Sequence, residues 1–408
     1  MRFHRLKSVV GNLPLMAVLV LSANVAFAFL LVNLAVVNDA SLGLADANLA
    51  TSVANIAVQV VFADFLFGFE AVSGMDKVAR DAYFESRTRR SLGRGVILTG
   101  LVVALSPIVG LWDIPPWLFI ALVFSYITAF SVSPLYQYAV FTIGFDSVQT
   151  TQLVAIVVKA VTLIVTFLLT RDIVVSLVAA LNVQQLICSI RWLFIPRWVS
   201  FSIRATRLAD CVPLIGIQDV LGLLVLNRDS VQNTIDQFVL RAISISTYAN
   251  FALIGPFLAL ARQMPAALVD DLRSKIASEN PEAVREARKR FLTVVGVLEV
   301  LFAVAIALSW GTLQGVIPVL KAIDPLIGLE VSLLGFASAL LATRIFGSRQ
   351  SGRVLQSFAC YGAVALGGAW FCSSIGLFSL HAYLLIALAG SLVMSWNFYR
   401  VNLLERRG

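Results

Sequence analysis

The sequence predicts an all-α, polytopic membrane protein: twelve transmembrane helices in two six-helix lobes related by a parallel pseudo-two-fold axis. Three observations carry this. Of the 408 residues 59% are hydrophobic and only 13% charged, with a mean hydropathy of +0.89, where a soluble domain carries about 25% charged residues. Apolar segments long enough to cross ~30 Å of hydrocarbon recur along the whole chain. The basic residues gather on one side of those segments.

Taken in order, the spans fall at 13–37, 47–72, 95–112, 116–140, 149–170, 173–195, 212–242, 247–268, 291–311, 329–346, 354–376 and 379–399. The first begins after "MRFHRLK" and passes an "AFA" at 26–28 that could be read as a cleavage site. The apolar run continues to Val37, so a retained first helix is expected rather than a cleaved leader. With the N-terminus in the cytoplasm, the inner loops and tails collect 25 of the 31 Lys and Arg residues. The outer loops hold only Arg171 and Lys321, and Lys159, Arg228, Arg241 and Arg262 are left at membrane depth. That asymmetry sets the orientation, with both termini cytoplasmic. It also accounts for the net charge of +8 as topogenic, with no nucleic acid implied. Trp112, Trp117 and Trp310 fall at outer ends, and Trp192, Trp198 and Trp396 at inner ends, as interfacial belts require.

The chain repeats itself. A basic loop ending at Arg94 runs into an apolar span ending at Trp112; a second ending at Arg290 runs into a span ending at Trp310. Six helices separate the copies, an even number, so the halves share one orientation. The lobes are placed at 1–196 and 212–408, with a cytoplasmic linker at 197–211. "ENPEAVREARKR" offers Asn280 as a cap, Pro281 at the first helical position and Glu282 in the first turn, which predicts a short cytoplasmic surface helix.

The polar patch "NRDSVQNTIDQFVLRA", 227–242, interrupts this apolar chain. Were 213–242 one helix, Asp219, Ser230, Asn233 and Gln237 would share a stripe, with Asp229, Asp236, Gln232 and Arg228 spread around from it. Such an arc cannot face lipid. The patch is expected either inside the bundle or at a break near 227–230 lining water, as interrupted helices do at binding sites. The competing reading is a span that ends near Leu226, followed by a plain outer loop.

Other ionisable residues lie inside spans. Lys159 is close to the centre of its segment, where a cation costs at least ~2.5 kcal/mol, so a cavity or a partner is expected there. Arg262 and Asp64 lie nearer the ends of theirs, and Glu299 nearer the middle. Asn24, Asn55, Gln59, Asn182, Gln184 and Gln185 could line a lumen or bond helix to helix. Cations at depth among amides and hydroxyls suit an anionic head group bearing many hydroxyls, since arginine grips phosphate bidentately and amides suit sugars. Buried carboxylates beside them would neutralise the empty site or carry protons. Cys188, Cys211, Cys360 and Cys372 stand singly, and His4 and His381 are far apart, so neither a disulfide framework, a metal nor another cofactor is expected.

The run from Asp236 through "QFVLRAISISTYANFA" resembles the seventh-to-eighth helix junction of the Wzx-type bacterial polysaccharide flippases. These belong to the multidrug/oligosaccharidyl-lipid/polysaccharide exporter (MOP) superfamily. There an Asp opens an apolar run, followed by a Ser-rich turn and a Tyr; here these are Asp236, Ser244, Ser246 and Tyr248. "FGFEAV" at 67–72 and "SPLYQYAVF" at 133–141 are similar to the ends of the family's second and fourth helices. Arg241 and Tyr138 stand where the family commonly has glycine. The resemblance implies a non-enzymatic translocase of the bacterial inner membrane. It would flip a polyprenyl-pyrophosphate-linked oligosaccharide to the outer leaflet for O-antigen or exopolysaccharide export.

On that reading the protein works as a monomer among membrane lipids, beside a glycan polymerase or glycosyltransferases. Lys159, Arg228, Arg241 and Arg262, with Gln232 and Asn233, would bind substrate. Asp219, Asp229, Asp236, Asp64 and Glu299 would couple ions or serve as charge partners. Three alternatives stand beside it: a drug/cation antiporter of the same superfamily, a membrane glycosyltransferase or polymerase, and a non-transporting envelope scaffold. Short outer loops disfavour an enzyme.

Overall fold

A computed structural model describes residues 15–66, 72, 75–109, 115–196, 217–258, 260–261, 281–316, 324–345 and 351–405, and among these no strand occurs. The expected linker at 197–211 lies outside the described residues. The chain divides into two compact units: Met1–Leu30 with Val53–Val220, and Leu31–Ser52 with Leu221–Gly408.

α1 (Leu15–Val37) begins in the first unit and its last residues belong to the second; it ends at Asp39, whose φ of 53° is left-handed, and the Ala40 amide closes back on the Ala35 carbonyl at 2.8 Å. This turn is so tight that α2 (Ser41–Val61) starts six residues before the expected span at 47. α2 stops at Phe62, and the one-turn α3 (Ala63–Leu66) follows. α4 (Lys77–Val109) joins the basic inner loop and the third span in one helix. α5 (Pro116–Ser131) and α6 (Ser133–Ile143) are one expected span bent by 43°. Pro134 causes the bend: it has no N–H, and its ring clashes with the carbonyl one turn back. α7 (Phe145–Thr170) and α8 (Ile173–Leu193) meet at the expected place, through Arg171 with φ 57° and Asp172, whose carboxylate accepts from the Val174 and Val175 amides. On α7, Val154, Val157, Val161, Ile164 and Leu168 form an exposed apolar stripe facing lipid, while Ala155, Ile156, Lys159, Leu163 and Phe167 are buried.

In the second unit, the expected 212–242 helix is broken: α9 (Ile217–Leu226) and α10 (Arg228–Ile243) flank Asn227. Both the Asn227 amide and its side-chain Nδ2 donate to the Leu223 carbonyl, at 2.9 and 3.1 Å, which crowds the ladder at that turn. "NRDSVQNT" is thus helix and not an outer loop. Ser244, extended at φ −155°, ends α10 and caps α11 (Ile245–Leu253), as the Ser-rich turn predicts; the chain is helical again over 255–258. The predicted surface helix is not separate. It continues into the ninth span as α12 (Pro281–Val316), because no breaker lies between Arg290 and Phe291. The halves therefore share one feature, a long helix with a basic head and an apolar body. α13 (Leu326–Ile345), α14 (Ser351–Ser374) and α15 (Leu380–Glu405) complete the unit.

Among the described residues six helices are long and apolar enough to cross a membrane, and the bent α5–α6 pair makes a seventh. The remaining expected spans are interrupted helices, shorter ones or segments with undescribed residues. Trp117 and Trp396 are exposed as belts require, but Trp192 is buried against Tyr136 and is a core residue. Trp112 and Trp198 lie outside the described residues.

Candidate functional site

The break at Asn227 sets the phase of α10 and with it the site. Asp229, Gln232 and Asp236 are three and four residues apart, so they lie on one face. That face is buried in the second unit. Of the expected stripe, Gln237 is buried and Ser230 and Asn233 are half-buried, while the side chain of Asp219 lies outside the described residues. Asp236 is fully buried, and its Oδ1 accepts from the Tyr361 hydroxyl of α14 at 2.6 Å and the Tyr383 hydroxyl of α15 at 2.7 Å. One turn away, Gln232 Nε2 donates to Ser391 Oγ at 3.4 Å. At the next turn Asp229 Oδ1 accepts from Ser338 Oγ of α13 at 2.6 Å, and its other oxygen lies 3.6 Å from the guanidinium of buried Arg228. Apolar packing by Val231 and Ile235 against Tyr361, Phe358 and Met394 holds the face in register.

Near the C-terminal end of α10, Arg241 is exposed and pairs with Asp46 of α2 at 3.4 Å. Tyr248 of α11 donates to the same carboxylate at 3.2 Å. Glu299 of α12 is 3% exposed, and neither oxygen has a hydrogen-bond partner among the described residues. It lies against Gly335 of α13. A methyl group on Gly335 would stand 2.8 Å from the Glu299 carboxyl carbon and 3.0 Å from Ala261 Cβ. Gly335→Ala is expected to destabilise the protein by about 1–3 kcal/mol through overpacking. Thermal unfolding in lipid nanodiscs measures this, and an unchanged midpoint would mean that Glu299 swings freely.

In the first unit, Lys159 lies on the buried face of α7, its ammonium 4.0 Å from the centre of the Phe27 ring. Asp64 is paired with Arg94. The early amides have separate uses. Asn182 Nδ2 donates to the Ala121 carbonyl at 2.8 Å, tying α8 to α5, and Gln59 donates to Asn55 within α2. Asn24, Gln184 and Gln185 line a cavity. Arg262 and the side chain of Asp219 lie outside the described residues, and Asn233 is half-buried on α10.

The structure therefore brings Asp229, Gln232, Asp236 and Arg228 together, and adds residues the sequence reading did not single out: Tyr361, Tyr383, Ser338 and Asp46. Tyrosines inside apolar spans, as in "ACYGAV" and "HAYLLI", are their visible signal, since a buried hydroxyl needs an acceptor. Among the described residues no cluster of three or more His, Cys, Asp or Glu could hold a metal ion.

No family model matches the sequence, and no curated protein is significantly similar to it. Solved structures are similar. An inward-facing multidrug resistance MATE family transporter of the MOP superfamily shares 15% identity, with a TM-score of 0.60 and coverage of 98% of each chain. The Vibrio cholerae MATE transporter VcmN, in a mutant form, shares 13% identity, with a TM-score of 0.60 and coverage of 98% of each chain. The MATE transporter ClbM in complex with Rb+ shares 12% identity at a TM-score of 0.55, over 96% of this chain and 93% of that one. At these identities the likeness establishes the fold: a multi-pass membrane protein with the two-lobed, twelve-helix fold of MATE transporters.

Proposed function

We propose that this chain is a secondary exporter of a bacterial inner membrane, exchanging an organic solute for a proton or small cation, with the Asp236 cluster as its coupling site. The observation that carries this is a fully buried carboxylate held by two tyrosine hydroxyls on an interrupted helix. A carboxylate at depth is costly and is kept where its charge changes during the cycle. The tyrosines leave Asp236 in place while its charge is neutralised by an incoming cation and restored on release. The multidrug transporters among the structural neighbours support the same reading. So does the pairing of Arg228 and Arg241 with Asp229 and Asp46, which offsets the positive charge an anionic head group would require.

The test is exchange in proteoliposomes under an imposed proton or sodium gradient, with ethidium as the reporter solute. Gradient-driven ethidium movement by the native protein, absent in Asp236→Asn, is the expected result. Movement that ignores both gradients would sink the coupling role.

A second reading is the lipid-linked oligosaccharide flippase, favoured by one observation: Lys159 turned into the bundle. There Lys159, Arg228, Arg241 and Arg262 would serve the pyrophosphate. Loss of surface glycan in cells carrying Lys159→Ala, with normal solute exchange in proteoliposomes, would select it.

A further inference from the structure

In the second unit, α12 and α13 meet along a seam where two side chains of one helix lie over two glycines of the other. A methyl group on Gly328 would stand 2.7 Å from Ile306 Cγ2, and one on Gly335 2.8 Å from the Glu299 carboxyl carbon. The pairs are seven residues apart on both helices and run in opposite order, so the seam is antiparallel and two turns long. Glycines let the backbones approach closely there. Ile306 is an ordinary occupant of such a seam, and a carboxyl group is not. Phe291 and Val295 are buried with it on the same face of α12, against Ala339 and Phe336, while Val300, Leu301, Val304 and Leu308 are exposed around the other side. We propose that Glu299 is a proton-binding site, which holds its proton while it lies over Gly335 and releases it when α12 and α13 part.

Burial and the lack of partners argue for a protonated acid in this conformation. Glu299 is 3% exposed, and both its oxygens are without a hydrogen-bond partner among the described residues. An ionised carboxylate placed so loses its hydration with nothing in return, and such a group neutralises instead. Among the described residues no cation faces it from the elements packed around it. On α12 the basic head ends at Arg290, nine residues away, or ~13 Å along the helix. On α13 the ionisable side chain described is Glu330, five residues before Gly335 and engaged by His381 at 2.9 Å. The helical residues 255–258 and 260–261 carry no charge and bring Ala261 Cβ to 3.0 Å from the same methyl position on Gly335. Asp229 of α10 meets α13 at Ser338, three residues beyond Gly335.

The occupant is a proton and not a metal ion. A hard cation collects about six oxygen ligands, whereas the neighbours here are a glycine and an alanine. The hydroxyls of α13 are committed elsewhere: Ser332 donates to the Gly328 carbonyl at 2.8 Å and Ser338 to Asp229 at 2.6 Å. A neutral acid fits the seam as it stands. On release the O–H bond breaks, its electron pair stays on the carboxylate, and the proton passes to water. The charge left behind must then reach water as well. Glu299 lies nine residues after Arg290 and eleven before Trp310, and a short carboxylate at mid-span cannot snorkel to either surface. The seam opens instead. Through Ser338 the same helix holds Asp229, so proton loss at Glu299 moves a helix that carries part of the Asp236 cluster. That last link rests on the exporter reading above; the binding of the proton does not.

The experiment takes full-length protein in nanodiscs from mildly acidic to mildly alkaline pH. Infrared difference spectra follow the carbonyl stretch of protonated carboxylic acids. Native protein is expected to lose such a band as the pH rises. The band is expected to be missing from Glu299→Gln at every pH and to persist in Asp236→Asn and in Glu330→Gln. Glutamine keeps the shape of the side chain, so a purely packing role would leave the variant folded and move no proton signal. A native spectrum from Glu299→Gln overturns the proposal, and so does a Glu299 band that stays at every pH. An unfolding midpoint near native shows that Glu299→Gln folds. If it does not, native protein is treated with dicyclohexylcarbodiimide, which adds to protonated carboxyl groups. An adduct mapped to Glu299 and suppressed at alkaline pH supports the site, and no adduct there overturns it.

A second arm reads the seam itself. Spin labels on Val300→Cys and Leu333→Cys, exposed positions of α12 and α13, are placed in a background without the native cysteines. They are expected to move apart at alkaline pH and to hold one distance in Glu299→Gln. A distance that ignores pH while the band titrates overturns the parting of the helices. Both arms run with no gradient and no solute. Gradient-driven ethidium exchange without a Glu299 band defeats only this inference, and a titrating Glu299 in a protein that exchanges nothing defeats only the exporter reading.

Discussion

Asp236→Ala lowers the unfolding free energy by about 2–4 kcal/mol, because two buried tyrosine hydroxyls lose their acceptor at once. Asp236→Asn behaves differently. Its carbonyl oxygen still accepts, so stability changes little, but the side chain no longer carries a charge and gradient-driven exchange stops. The tyrosines are separable by the same logic. Hydrogen bonds between membrane helices are worth about 0.6 kcal/mol on average and at most about 1.7, and both hydroxyls share one oxygen. Tyr361→Phe or Tyr383→Phe alone is therefore mild, while the double change costs more than the sum of the singles, since Asp236 then has neither donor. Thermal unfolding of the five variants in nanodiscs, alongside exchange, gives both readouts. A stable Asp236→Ala would mean that the hydroxyls find other acceptors. A fully active Asp236→Asn would remove Asp236 from the coupling.

How much of this was legible depends on how local the cause was. The α7–α8 turn at Arg171–Asp172 and the α10–α11 turn at Ser244 were readable because their capping residues stand in the sequence. The bend at Pro134 is written in "SPLYQYAVF", where the proline forces it. The depth of Lys159 followed from its place in the span, and its inward direction from the phase of α7. The Asp236 cluster was legible only on one side. Its tyrosines come from 125 and 147 residues away, on spans whose sequences look like ordinary apolar helix. The amides of the early spans carried two meanings, lumen or glue. Their surroundings tell them apart: Asn182 reaches the Ala121 carbonyl of α5, and Gln184 lines a cavity. Charge counting misled where it treated basic stretches as loops, since helix propensity in 77–94 and 281–290 lets each continue into its span.

Arg94 tests that last point with the second large effect. As a topogenic charge it would be replaceable by lysine without consequence, because the positive-inside bias counts either residue. The structure gives it a different task. Its guanidinium is 4% exposed, donates to the Val61 carbonyl at 2.8 Å and to both oxygens of Asp64, and lies 4.5 Å above the Phe65 ring. Val61 is the last residue of α2, so the break at Phe62 leaves its carbonyl without a helical donor and Arg94 supplies one. Arg94→Ala strands that carbonyl and a partly buried carboxylate together, and a loss of about 3–5 kcal/mol is expected, as for a buried ion pair broken on one side. Arg94→Lys retains the charge but cannot fork to both Asp64 oxygens while also reaching Val61, so it falls between the two. Asp64→Leu combined with Arg94→Met removes both charges and is less damaging than Arg94→Ala alone. A cycle of unfolding free energies decides between the tasks: a silent Arg94→Lys leaves only topology, whereas a graded loss relieved in the double variant makes Arg94 the clamp that holds the end of α2.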